Sequence, residues 1–181
     1  MNKEHILGEH YLETVQKEFH KLKSIADISI QQLTEEGLNY VPDNESNSVA
    51  IIMKHLAGNM LSRWTDIFTT DGEKATRDRD SEFTREHITS EHILELWEKG
   101  WACFFETLQS IRPDDLLREI TIRREPHTVL QALERQTTHN GAHVGQIIYI
   151  AKHLTGENWR TMSIPRGKSN EYITSPPQSK H

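Results

Sequence analysis

The sequence predicts an all-α chain, a four-helix bundle with a long crossover that has room for a short hairpin. Three observations carry this. Four long segments place apolar residues at mixed three- and four-residue steps, the signature of one buried helical face. Their ends coincide with capping residues, glycines or prolines. Strict alternation of polar and apolar residues is confined to one short stretch, Glu119-Ile-Thr-Ile-Arg123.

The first segment runs from about Asn2 to Glu36, with Ile6, Tyr11, Val15, Phe19, Leu22, Ala26, Ile30 and Leu33 on its stripe. Gly37 is the expected stop, and Pro42 lies in the connection. The second runs from about Ser48 to Phe68, capped by Ser46 or Asn47, with Val49, Ile52, Met53, Leu56, Met60, Trp64 and Ile67 facing inward. His55 falls on the flank of this stripe and Asn59 one turn later. Asp71-Gly72 signals a turn. The charge-rich stretch that follows, with Arg77, Asp78, Arg79, Asp80 and Glu82, reads as a solvated surface loop. The third helix starts near Ser90, behind Thr89, and Pro113 lies beyond its end. Trp97, Trp101, Phe104 and Phe105 give it a heavy apolar face, more readily core than ligand cage. The alternating stretch is then one half of a hairpin in the connection to the fourth helix. That helix opens at Pro126 or Thr128 and spans about His127 to Leu154. Asn140-Gly141 is a turn signal inside it, but the periodicity on both sides favours a continuous helix; Gly141 and Gly145 would then admit a neighbouring helix or a ligand.

The 181 residues fit one domain, 1–181, with an irregular tail from about 160 and fraying at Pro176-Pro177. The net charge of −6 gives a nucleic-acid partner no electrostatic support. No stretch has the apolar length of a membrane span, and the N-terminus lacks a signal-peptide core. The single cysteine, Cys103, cannot form an internal disulfide and reads as a buried, inert thiol; together these features point to the cytoplasm.

The candidate chemistry lies in Thr138-His-Asn-Gly-Ala-His-Val-Gly-Gln146. His139 and His143, four apart on a helix, project from one face, the spacing by which two imidazoles reach one metal ion. Spacing alone is weak. With 11 histidines in the chain, chance supplies roughly 0.6 such pairs, and a solvated pair is the ordinary alternative. His55, on another helix, strengthens the metal reading, because bundles build metal sites from facing helices. Asn59 and Gln146 are placed to support ligands or touch a substrate. The other histidines read as surface or capping residues. Arg166-Gly-Lys168 lacks the upstream glycine of a phosphate loop; it is either a surface segment or a flap over the pocket.

The histidine in Met53-Lys-His-Leu-Ala57, the His139-x-x-x-His143-x-x-Gln146 pattern and the four-helix layout resemble the DinB/YfiT-like superfamily of metalloenzymes, and Leu154-Thr-Gly-Glu-Asn-Trp159 with Ser163-Ile-Pro-Arg-Gly-Lys-Ser169 is similar to an uncharacterised bacterial branch of it. The resemblance covers nearly the whole chain. It implies an up-down-down-up bundle, a homodimer, and a divalent metal, zinc or nickel, on His55, His139 and His143. It also implies transfer of a low-molecular-weight thiol, of the bacillithiol kind, to a small electrophile. Metal-dependent hydrolysis and a non-catalytic metal-binding or dimerising bundle are the alternatives. No motif places a carboxylate as a general base.

Overall fold

The structure, a computed structural model, describes residues 3–174; the Pro176-Pro177 tail lies outside them. Its helices are α1 (Lys3–Ile30), α2 (Glu35–Asn39), α3 (Val49–Trp64), α4 (Ser90–Ser110), α5 (Val129–Thr155) and α6 (Ser169–Thr174), with strands β1 (Glu119–Ile122) and β2 (Glu125–Thr128) between α4 and α5. The all-α bundle expected from the sequence is what the chain forms. Among the described residues no helix is long and apolar enough to cross a membrane.

Side-chain contacts fix the helix directions. Ala57 meets Gly100, and Trp64 meets Phe104 and Thr107 further along both helices, so α3 and α4 run parallel. Asp27 meets Trp97 and Phe19 meets Phe104, so α1 opposes α4. His55 meets His143 and Trp64 meets Gln136, so α5 opposes α3. The order is therefore up, down, down, up for α1, α3, α4 and α5. A parallel α3–α4 pair demands a long return, and residues 65–89 supply it. The hairpin belongs to the next connection, between α4 and α5.

Capping sets most boundaries. The side chains of Ser48, Thr89 and Thr128 accept from the backbone N–H of Ile51, His92 and Gln131, and Gln131 reciprocates at Thr128. The cap of the second segment is thus Ser48, not Ser46 or Asn47, and that helix ends at Trp64, short of Phe68. The first segment also breaks earlier than its stripe suggests. Thr34 accepts from Gly37 N and starts the separate helix α2, so Gly37 sits inside a helix instead of ending one. The fourth helix runs through Asn140-Gly141 unbroken because the Asn140 side chain is buried and hydrogen-bonded. A Cβ at Gly141 or Gly145 would meet nothing within 4 Å among the described residues, so neither glycine serves a close approach here. The tail is not wholly irregular, since it contains α6.

Phe19, Trp64, Trp97, Trp101 and Phe104 are fully buried at the centre, with the Phe19 and Phe104 rings edge-on at 4.4 Å. Each such burial contributes about 1.5–3 kcal/mol. Helix α3 is buried on almost every side, its polar His55, Asn59, Ser62 and Arg63 included. It is the middle of the bundle, and polar groups on it must find partners inside the protein.

The hairpin turn puts Arg123 and Arg124 in the left-handed region, at φ 55° and 66°. Asn-Gly or Asp-Gly is the usual choice for such a turn. Here the Asp71 carboxylate accepts from both arginine backbone N–H groups at 2.8 Å, which offsets the strain and ties the hairpin to the crossover.

A three-histidine candidate metal centre

His55 comes from α3, and His139 and His143 from the antiparallel α5. One ring nitrogen from each lies within 4.8 Å of the others. The Nε2 atoms of His55 and His139 are 3.1 Å apart. Ligand nitrogens about 2.0–2.1 Å from a zinc ion stand roughly 2.9–3.4 Å from one another in octahedral or tetrahedral arrangements, so this pair is spaced as two ligands of one ion would be.

The outer nitrogens support that role. His55 Nδ1 donates to Glu82 Oε2 at 2.8 Å, which leaves its Nε2 lone pair free. His143 Nδ1 donates to Gln146 Oε1 at 2.8 Å, with the same consequence. His139 Nδ1 is buried without a hydrogen-bond partner among the described residues. Asn59 lines the site, its Oδ1 accepting from Gln136 Nε2 at 3.2 Å.

Glu82 is the residue the sequence reading missed. The stretch around it is not a solvated loop throughout: the side chains of Arg77 and Glu82 are 6% and 7% exposed. Arg77 grips Glu82 with a fork, Nε to Oε1 at 2.7 Å and Nη2 to Oε2 at 2.8 Å, and reaches Glu73 with Nη1 at 3.1 Å. Lys54 pins the same turn to α3 by donating to the Ser81 carbonyl at 2.7 Å. Phe83, next in the turn, packs on His55 with ring centroids 4.8 Å apart. Gly58 makes this approach possible, since a Cβ there would lie 2.2 Å from Glu82 Oε1.

Burial, followed by the proximity of His143, His55 and Arg63, holds the His139 pKa down to about 3. Burial also lowers that of His143. Both rings are therefore neutral at physiological pH, the state a metal needs. The sign for stability follows. Below the ordinary value near 6.5 the unfolded chain takes up protons that the folded chain refuses, so the metal-free protein loses stability as the pH falls from about 6.5 towards 3. Urea midpoints of chelator-treated protein should decline between pH 7 and 5, above the range where carboxylates titrate. The decline should be smaller in His139→Gln; a flat profile, or equal slopes in the two proteins, would contradict this assignment.

Other expected features lie elsewhere. Cys103 is half-buried and lines a separate cavity of about 520 Å³ with Trp64, Thr65 and Glu106, and is not the fully buried thiol expected. Trp97 and Trp101 are core. The Arg160–Met162 stretch packs on the end of α1, through Gln32 and Ser29. Arg166 and Lys168 do not line the cavity beside the histidines, and Lys168 pairs with Glu171.

A family model described as "Protein of unknown function (DUF1572)" matches residues 6–168. No curated protein and no solved structure matches the chain.

Proposed function

The chain belongs to the family described as Protein of unknown function (DUF1572), and from that premise we propose that it is a divalent-metal-dependent enzyme of the DinB type. The observation that carries the reading is the convergence of three imidazoles from two helices, with His55 and His143 each held by its outer nitrogen. Three protein ligands leave positions open for substrate, as catalytic sites do and closed structural sites do not. A zinc or nickel ion bound there would act as a Lewis acid and lower the pKa of a coordinated water or thiol.

The residues around the histidines favour thiol transfer over hydrolysis. A cavity of about 500 Å³ opens beside His55 and His139, and none of its lining residues is a carboxylate able to activate water. Glu82 is engaged by His55 and Arg77. The chain's only cysteine lies in a different cavity, so the thiol would come from a second small molecule; it would give its proton to solvent and form a bond to an electrophilic carbon held in the cavity as that carbon's bond to its leaving group breaks. Glu82 and Gln146 orient the imidazoles, and Phe83 shields one face of His55 from water.

Elemental analysis after dialysis against dilute zinc or nickel tests the reading. About one equivalent per chain is expected, lost in His139→Ala/His143→Ala while the helical circular dichroism survives. The loaded protein should also bind a small thiol, seen as a charge-transfer band with nickel. No metal, or equal uptake by both proteins, would overturn it.

A further inference from the structure

Among the described residues, the cavity beside the histidines is lined by five arginines, Arg63, Arg77, Arg79, Arg123 and Arg135, and by no acidic residue. That is unexpected in a chain of net charge −6. They come from four places in the sequence: α3, the crossover, the hairpin turn and α5. Two are already matched, since Arg77 serves Glu82 and Glu73, and Arg123 leans on Glu73 at 3.2 Å. Arg79 lies over the Phe83 ring at 4.9 Å. No salt bridge among the described residues involves Arg63, Arg79 or Arg135.

Arg63 is the decisive residue. It is 3% exposed, donates from Nη1 to the neutral Gln136 Oε1 at 3.2 Å, and leaves its Nε buried without a partner among the described residues. Burial, then repulsion from Arg135 and Arg77, lowers its pKa to about 10, still cationic at neutral pH. A buried, unpaired guanidinium among like charges is costly unless a counter-anion arrives. Arg123 is held at the cavity by a turn that glycine or asparagine would enter with less strain.

We propose that this cavity binds the anionic end of the substrate, a carboxylate or phosphate oxyanion, on Arg63, Arg123 and Arg135. This deepens the metal reading by naming a substrate class, and it rests on that reading only for the reacting end. Arg63 lies eight residues beyond His55 on α3, two turns, or about 12 Å of helix axis. The substrate therefore carries its anionic group on one side and its reacting atom on the other, at the histidines. Arginine suits the task because its planar fork matches two oxyanion oxygens at once.

Calorimetric titration with inorganic phosphate and with succinate, at constant ionic strength, tests the site in protein as isolated and after chelation. One saturable site per chain is expected for at least one anion in both preparations, and the tighter of the two names the phosphate or the carboxylate class. Arg123→Ala and Arg135→Ala, both at exposed positions, should each weaken it about tenfold, and Arg160→Ala, away from the cavity, should not. No saturable binding of either anion would overturn the proposal. So would binding indifferent to Arg123→Ala and Arg135→Ala, or binding lost equally in Arg160→Ala. The chelated arm separates the two readings. A His139→Ala/His143→Ala protein that still binds the anion, with no metal site found in wild type, defeats the metal reading alone; a protein that takes metal but no anion defeats this one alone.

Discussion

Glu82→Ala is expected to lower stability by about 3–5 kcal/mol, because it leaves the buried Arg77 guanidinium without its main partner, and to weaken metal binding by about 10- to 100-fold through the loss of the His55 orienting bond. Both effects come from one carboxylate placed between two groups that need it. Burial pushes the Glu82 pKa up, but the hydrogen bonds from His55 and Arg77 and the Arg77 charge outweigh it and hold the carboxyl below its usual range. The anion is therefore the resident form, and it orients His55 by accepting from Nδ1. Gly58→Ala separates the two effects. Its Cβ would occupy the space of Glu82 Oε1 and push the carboxylate off His55, but unlike Glu82→Ala it leaves a carboxylate on the turn with which the displaced Arg77 can pair again. It should reproduce much of the affinity loss at a smaller cost in stability. Urea midpoints and zinc competition titrations of the two variants read both quantities. Wild-type zinc affinity in both would remove Glu82 from the site.

This pair of residues also shows where sequence reasoning stops. The histidine spacing on α5 is local, a matter of one helical turn, and so is legible. The caps at Thr89 and Thr128 are local as well. Glu82 reaches His55 across 27 residues, from a stretch with no period and with alternating charges, which composition assigns to solvent. Its only local trace is a glycine, Gly58, on a helix otherwise built of larger residues. The burial of α3 is illegible for a related reason. A helix buried on most sides has no polar face to set against its apolar one, so His55 looks like a flank residue in sequence although it is 4% exposed in the fold. The break after Ile30 was hidden because Leu33 continues the stripe while Thr34 opens a new helix.

Gln136 was hidden in the same way, and replacing it should have an effect of the same order as Glu82→Ala. Fully buried on α5, it accepts from Trp64 Nε1 at 3.0 Å and from Arg63 at 3.2 Å, and donates to Asn140 Oδ1 at 2.7 Å and Asn59 Oδ1 at 3.2 Å. Gln136→Leu keeps the approximate volume and strands all four partners. Unsatisfied buried groups cost about 1–3 kcal/mol each, with some relief from local rearrangement, so a loss of about 3–5 kcal/mol is expected. Gln136→Glu should lose much less. The carboxylate still accepts from Trp64 and Arg63, and the Asn59 and Asn140 amides can turn their NH2 groups towards it. The same variant neutralises Arg63. If Arg63 anchors the anionic end of the substrate, Gln136→Glu should remain well folded yet bind phosphate or succinate about tenfold more weakly, since the new carboxylate competes for the same guanidinium. A Gln136→Leu protein within about 0.5 kcal/mol of wild type in urea would show that the network contributes little. A Gln136→Glu protein with undiminished anion binding would show that Arg63 serves the core and not the cavity.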